Sequence, residues 1–113
     1  MRKLDLRDYQ VTQKVRGGDG NLIDITAPYR VKDSILNIMF LPVLELCGAE
    51  LVKQNVLAMK IEQSDGEVEL EEAEYQRVKR AAEVYPGQSR ADVQLIDRIL
   101  NQTSEINKEA GNA

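Results

Sequence analysis

The chain contains no histidine, no tryptophan and a single cysteine, Cys47, among its 113 residues. Histidine is the side chain whose unperturbed pKa lies nearest neutrality and the commonest metal ligand, so its absence removes the usual general base, proton shuttle and zinc site together. Most familiar catalytic constellations are thereby closed, and the sequence predicts neither catalytic residues nor a cofactor or metal site. One cysteine cannot form an intramolecular disulfide. The N-terminal run Met1 to Asp8 also lacks the apolar core of a secretion signal, which gives a cytoplasmic expectation. Long hydrophobic runs are missing too. The greasiest stretch, Ile35 to Leu46, is interrupted by Asn37, Pro42 and Glu45, and is far short of the roughly 20 apolar residues that span a bilayer, so no membrane is expected as a partner. Neither an internal repeat nor a low-complexity tract is present.

What remains has globular proportions. A hydrophobic fraction of 42% with 30% charged residues suits one compact domain with its own core. The net charge of −4 opposes non-specific attraction to a phosphate backbone. The expected division is one α+β domain over residues 1–103 and a flexible polar tail over 104–113, with Ile106 as its only aliphatic anchor.

Hydrophobic periodicity sets out the elements. Residues 9–15 alternate, with Tyr9, Val11 and Val15 on one side and Gln10, Thr12 and Lys14 on the other, the period of a half-buried strand. Leu4 and Leu6 have the opposite parity, so the pattern slips at Arg7-Asp8. Gly17-Gly18-Asp19-Gly20-Asn21 supplies the positive-φ residues of a hairpin turn, and residues 22–27 return with Ile23, Ile25 and Ala27 on the buried side. The face of Tyr9, Val11, Ile23 and Ile25 is expected to lie on the helices. A first helix begins near Val31 or Asp33 and ends before Pro42, and a second spans residues 49–63 with two apolar stripes, Val52, Val56 and Met59 opposite Leu57, Ala58 and Ile61. Glu67 to Leu70 reads as extended. A third helix over residues 71–85 starts with Glu74 in the capping-box acid position and Leu70 against Tyr75 as a hydrophobic staple. A fourth covers residues 90–103, with Ser89 and Asp92 as its capping box. The sum is an N-terminal β-hairpin packed on about four α-helices.

Several chemical motifs dissolve on inspection. The glycine loop lacks the Gly-Lys-Ser/Thr ending and following helix of a phosphate cradle, and Asp19, Asn21 and Asp24 lack the spacing of a calcium loop. Cys47, between Leu46 and Gly48 and without a histidine, reads as an inert buried thiol. The acids Glu67 to Glu74 read as a solvated cap matched to a helix dipole.

The segments Gly48-Ala49-Glu50-Leu51-Val52, Leu57 to Ile61, Glu69 to Tyr75, Arg90 to Val93 and Arg98 to Leu100 together resemble small proteins encoded among the structural genes of tailed bacteriophages. The resemblance is one of pattern over residues 29–101 and carries no catalytic or ligand-binding residue. It implies a virion component, assembly chaperone or accessory factor, working in a host cytoplasm or within the virion.

The function expected from these readings is non-catalytic protein–protein assembly, with a protein partner or self-association through the first helix at Ile35, Leu36, Met39, Phe40 and Leu41. A second reading, from another class, is a nucleic-acid-associated regulator using the helical pair at residues 71–103, with Arg77, Arg80, Arg90, Gln94 and Arg98 as contacts. The connecting turn is longer than that motif uses and the acidic balance argues against nucleic acid. Composition alone predicts that the purified protein retains no stoichiometric transition metal after chelator washing. Elemental analysis checks this, and about one zinc or iron per chain would contradict it.

Overall fold

A computed structural model of the chain describes residues 1–87 and 90–103. The fold is α+β: β1 (Arg2–Asp5), β2 (Tyr9–Arg16), β3 (Leu22–Tyr29), α1 (Val31–Ile38), a 3-10 turn (Pro42–Leu44), α2 (Gly48–Glu62), β4 (Glu67–Leu70), α3 (Glu72–Val84) and α4 (Ala91–Asn101). Two separate antiparallel pairs form, β1 with β4 and β2 with β3.

The parity slip at Arg7-Asp8 marks the passage from one pair to the other. β1 is a strand in its own right, pairing Leu4 with Val68 and Asp5 with Glu67, and the Leu6 amide extends the ladder to the Gly66 carbonyl at 2.8 Å. Alternation then places Leu4, Leu6, Val68 and Leu70 in the core and leaves Lys3 and Glu67 outside as an ion pair. Beyond the slip, the Asp8 carboxylate accepts the Val31 amide at 2.9 Å and so serves one of the unsatisfied donors at the start of α1.

The helices close around this small sheet. Val31, Ile35, Ile38 and Met39 from α1 and its C-terminal turn, Leu57, Ala58 and Ile61 from α2, Tyr75, Val78, Ala81 and Ala82 from α3, and Leu95 and Ile99 from α4 make one core with it. The start of α3 has both halves of its capping box, Glu71 and Glu74, and the Glu71 amide donates to the Glu74 carboxylate at 2.8 Å. Gln54 is buried because its amide donates to the Met39 carbonyl at 2.9 Å, holding the end of α1 to α2.

The chain ends are laced across the fold by arginines. Arg2 grips Glu72 with two hydrogen bonds of 2.7 and 3.1 Å and lies 4.2 Å over the Tyr75 ring. Arg98, 8% exposed, donates to the carbonyls of Asp5 at 3.2 Å and Arg7 at 2.6 Å, which are the backbone of the β1–β2 passage. The Ser89 half of the predicted α4 capping box and the predicted tail at 104–113 lie outside the described residues.

Arg98→Ala leaves those two carbonyls without their donor and removes packing against Tyr9, and is expected to cost about 2 to 4 kcal/mol in chemical denaturation. Arg90→Ala, on an exposed side chain, should stay within about 0.5 kcal/mol and serves as the control. Equal effects would contradict the role given to Arg98.

Candidate functional site

Among the described residues the β2–β3 hairpin is hydrogen-bonded to the body at its tyrosine end. Its turn is closed by the Gly17 amide on the Asn21 carbonyl at 2.7 Å and by Asp19, whose carboxylate accepts the Asn21 amide at 3.0 Å. Gly20 takes φ +86°, a conformation that favours glycine. At the other end Tyr9 and Tyr29 are directly opposed, their rings stacked at 4.7 Å. The Tyr9 hydroxyl donates to the Ala91 carbonyl and the Tyr29 hydroxyl to the Asp92 carboxylate, both at 2.5 Å. Tyr85 donates to the other Asp92 oxygen at 3.1 Å. Three phenols from β2, β3 and the end of α3 thus meet the first turn of α4.

Burial has raised the pKa of Tyr9, Tyr29 and Tyr85 above the ordinary phenol value, and the Asp92 charge pushes the same way. These hydroxyls stay protonated donors. The tyrosine cluster therefore anchors the hairpin through three phenols that remain hydrogen-bond donors near neutrality.

Above this anchor, among the described residues, most of the hairpin's side chains are exposed. Register pairs Val11 with Ala27, Gln13 with Ile25 and Val15 with Ile23, so these residues share the tyrosine side. Ile23 is 47% and Ile25 48% exposed, while Val11 and Val15 are half-buried by their neighbours. The opposite side carries Thr12 and Thr26, whose hydroxyls are 2.9 Å apart, and the Lys14–Asp24 ion pair. The expectation that the Tyr9, Val11, Ile23 and Ile25 face lies on the helices holds for Tyr9, which packs against the core, and fails for Ile23 and Ile25. Eight-residue strands carry the tip about 26 Å along the arm, and the start of α4 flanks the β2 strand as far as Lys14.

A second uncovered apolar stripe runs along α2. Leu57, Ala58 and Ile61 are buried, whereas Val52 (63%), Val56 (61%), Met59 and Leu51 are exposed. The helix runs uninterrupted from Gly48 to Glu62, burying one of its two predicted stripes and leaving the other outside.

The residues predicted as the interface fall elsewhere. Ile35 and Met39 have no exposed surface, and Leu36 and Leu41 pack partly against the core. Only Phe40, 39% exposed, reaches solvent substantially. The apolar circumference of α1 reflects its position among α2, α3 and the base of the hairpin, so this stripe does not supply the open surface. The predicted nucleic-acid contacts are also divided. Arg98 is buried on backbone carbonyls, Arg77 is held by Glu50 and Gln54, and Arg80, Arg90 and Gln94 are exposed. Cys47, expected to be buried, is exposed at the N-cap of α2.

Among the described residues no group of His, Cys, Asp or Glu is arranged to hold a metal, and no helix is long and apolar enough to cross a membrane. No protein-family model, curated protein or solved structure matches this chain.

The charged periphery makes stability depend on pH at both extremes. Arg2 lowers the Glu72 carboxyl to about 2, and Arg7 and Arg77 likewise lower Asp5 and Glu50. Their contribution is complete above the ordinary carboxylate range and lost as pH falls towards about 2. The raised phenols act in the other direction: their contribution is complete below the ordinary value of 10.0 and lost as pH rises above it. Denaturation midpoints should therefore fall on both sides of a neutral plateau. Tyr29→Phe should flatten the alkaline limb alone, and an unchanged alkaline slope would contradict the anchoring role of that phenol.

Proposed function

We propose that this protein is a non-catalytic assembly factor that binds another protein chain through the apolar face of its hairpin arm. The observation that carries the reading is the half exposure of Ile23 and Ile25, beside Val11 and Val15, on an arm fixed at its base and, among the described residues, uncovered at those positions. Removing apolar surface from water contributes about 25 cal/mol per Å², and soluble chains keep such patches small unless something covers them. A rigid base favours binding, since an arm already held in one direction loses less freedom when a partner closes on it. The pattern resemblance to small tailed-phage proteins supports a narrower form, a virion component or assembly chaperone acting in the host cytoplasm or in the virion.

The test is Ile25→Asp. Ile25 is exposed, so the charge should leave circular dichroism unchanged and shift stability by less than about 1 kcal/mol. Wild-type protein incubated with lysate of its source should retain a partner chain in high salt, because apolar contact resists salt whereas phosphate binding weakens steeply. Ile25→Asp should lose that partner. Retention by the variant, or a bound species that salt releases and nuclease removes, would overturn the proposal.

A further inference from the structure

The arm has two free edges, and they differ. The Gly17 amide bonds the Asn21 carbonyl, so every second opposed pair counted from there exchanges hydrogen bonds: Val15 with Ile23, Gln13 with Ile25 and Val11 with Ala27 are the hydrogen-bonded pairs. Alternation then turns the backbone groups of Gln10, Thr12, Lys14 and Arg16 outward on the β2 edge, and those of Leu22, Asp24, Thr26 and Pro28 outward on the β3 edge. Pro28 has no N–H, which blunts the β3 edge near its base. The β2 edge keeps all its donors and acceptors. Among the described residues the hairpin sheet is two-stranded, and a groove lined by Val11, Thr12, Gln13, Lys14, Arg90 and Ala91 lies against β2.

From this edge we infer that the arm pairs with a second copy of this chain, β2 to β2, antiparallel about a two-fold axis at Gln13. The inference rests on the reading of the arm as a docking element and names one partner for it. In that register Thr12 opposes Lys14 and Gln10 opposes Arg16 of the second copy, so all four outward-facing residues of each strand are used and no like charges stand directly opposite, the two Lys14 side chains being diagonal neighbours. Val11 opposes Val15 on the apolar side, which joins the two faces into one four-stranded surface with Ile23 and Ile25 of both copies on the same side. Shifting by one residue would put apolar against polar faces. The blunted β3 edges become the outer strands, and a two-fold contact closes on itself, so assembly stops at two copies.

The wild-type mass measured by light scattering should rise from one chain to two with concentration. Lys14→Pro removes an outward N–H without breaking the hairpin's own ladder and should hold the mass at one chain with circular dichroism unchanged. Asp24→Pro makes the same change on the β3 edge and should still reach two. Register is read separately in a Cys47→Ser background. Gln13 faces itself across the axis at a non-hydrogen-bonded pair, where Cα atoms are about 4.5 Å apart, within disulfide reach, so Gln13→Cys should yield a covalent dimer under mild oxidation. Gln10→Cys, opposed to Arg16, should not. A wild type that stays at one chain at every concentration, association that survives Lys14→Pro, or no cross-link at position 13 would overturn the pairing. If the wild type alone is monomeric while Ile25→Asp still loses a lysate partner, the docking face stands and only the second copy fails.

Discussion

Two phenols from different parts of the chain donate to one carboxylate. Tyr29 at the end of β3 and Tyr85 at the end of α3 converge on Asp92, while Tyr9, stacked on Tyr29, reaches the Ala91 carbonyl one residue earlier. Asp92 is 7% exposed, so each hydrogen bond is made where water competes little, and hydrogen bonds to a charged group contribute about 1.5 to 3 kcal/mol apiece. A two-stranded hairpin is marginal in water by itself. This cluster, reinforced by Arg98 on the neighbouring backbone carbonyls, is what lets the arm leave the body in a fixed direction.

Anchoring at one end has a consequence for everything above it. The helical body and the β1–β4 pair bury a complete core without help from Ile23 or Ile25. The tip half of the arm's apolar face, with Ile23 and Ile25, therefore stands outside that core, as does the outer stripe of α2. Exposed apolar surface on a projecting arm is costly for a solitary chain, and among the described residues the β2 edge offers unpaired donors and acceptors beside it.

Much of this architecture was legible in the sequence because it is written in local rules. Alternation at residues 9–15, the glycine turn, Pro42, the Glu71 to Glu74 cap and the Leu70–Tyr75 staple each fix an element by short-range chemistry. Periodicity also identified which residues share a face. It carries no information on whether that face is covered: Ile23 and Ile25 alternate in the same way as Leu4 and Leu6, yet the first pair is open and the second buried. The same limit misassigned α1, whose apolar circumference marks an interior helix. The β1–β4 pairing and the Asp92 cluster join residues more than sixty positions apart, Arg2 with Leu70 and Tyr29 with Asp92, and nothing in local sequence announces such distant partners. The one trace was the parity slip at Arg7-Asp8. Asp92 itself stood out only as a helix-capping acid.

Tyr29 and Asp92 hold the arm to the body as a coupled pair. A double-mutant cycle of Tyr29→Phe, Asp92→Ala and the combined variant, read by chemical denaturation, measures that coupling directly. Residues in one hydrogen-bond network interact by about 0.5 to 3 kcal/mol, and the account predicts at least about 1 kcal/mol here. Additivity of the two single changes within about 0.3 kcal/mol would contradict it.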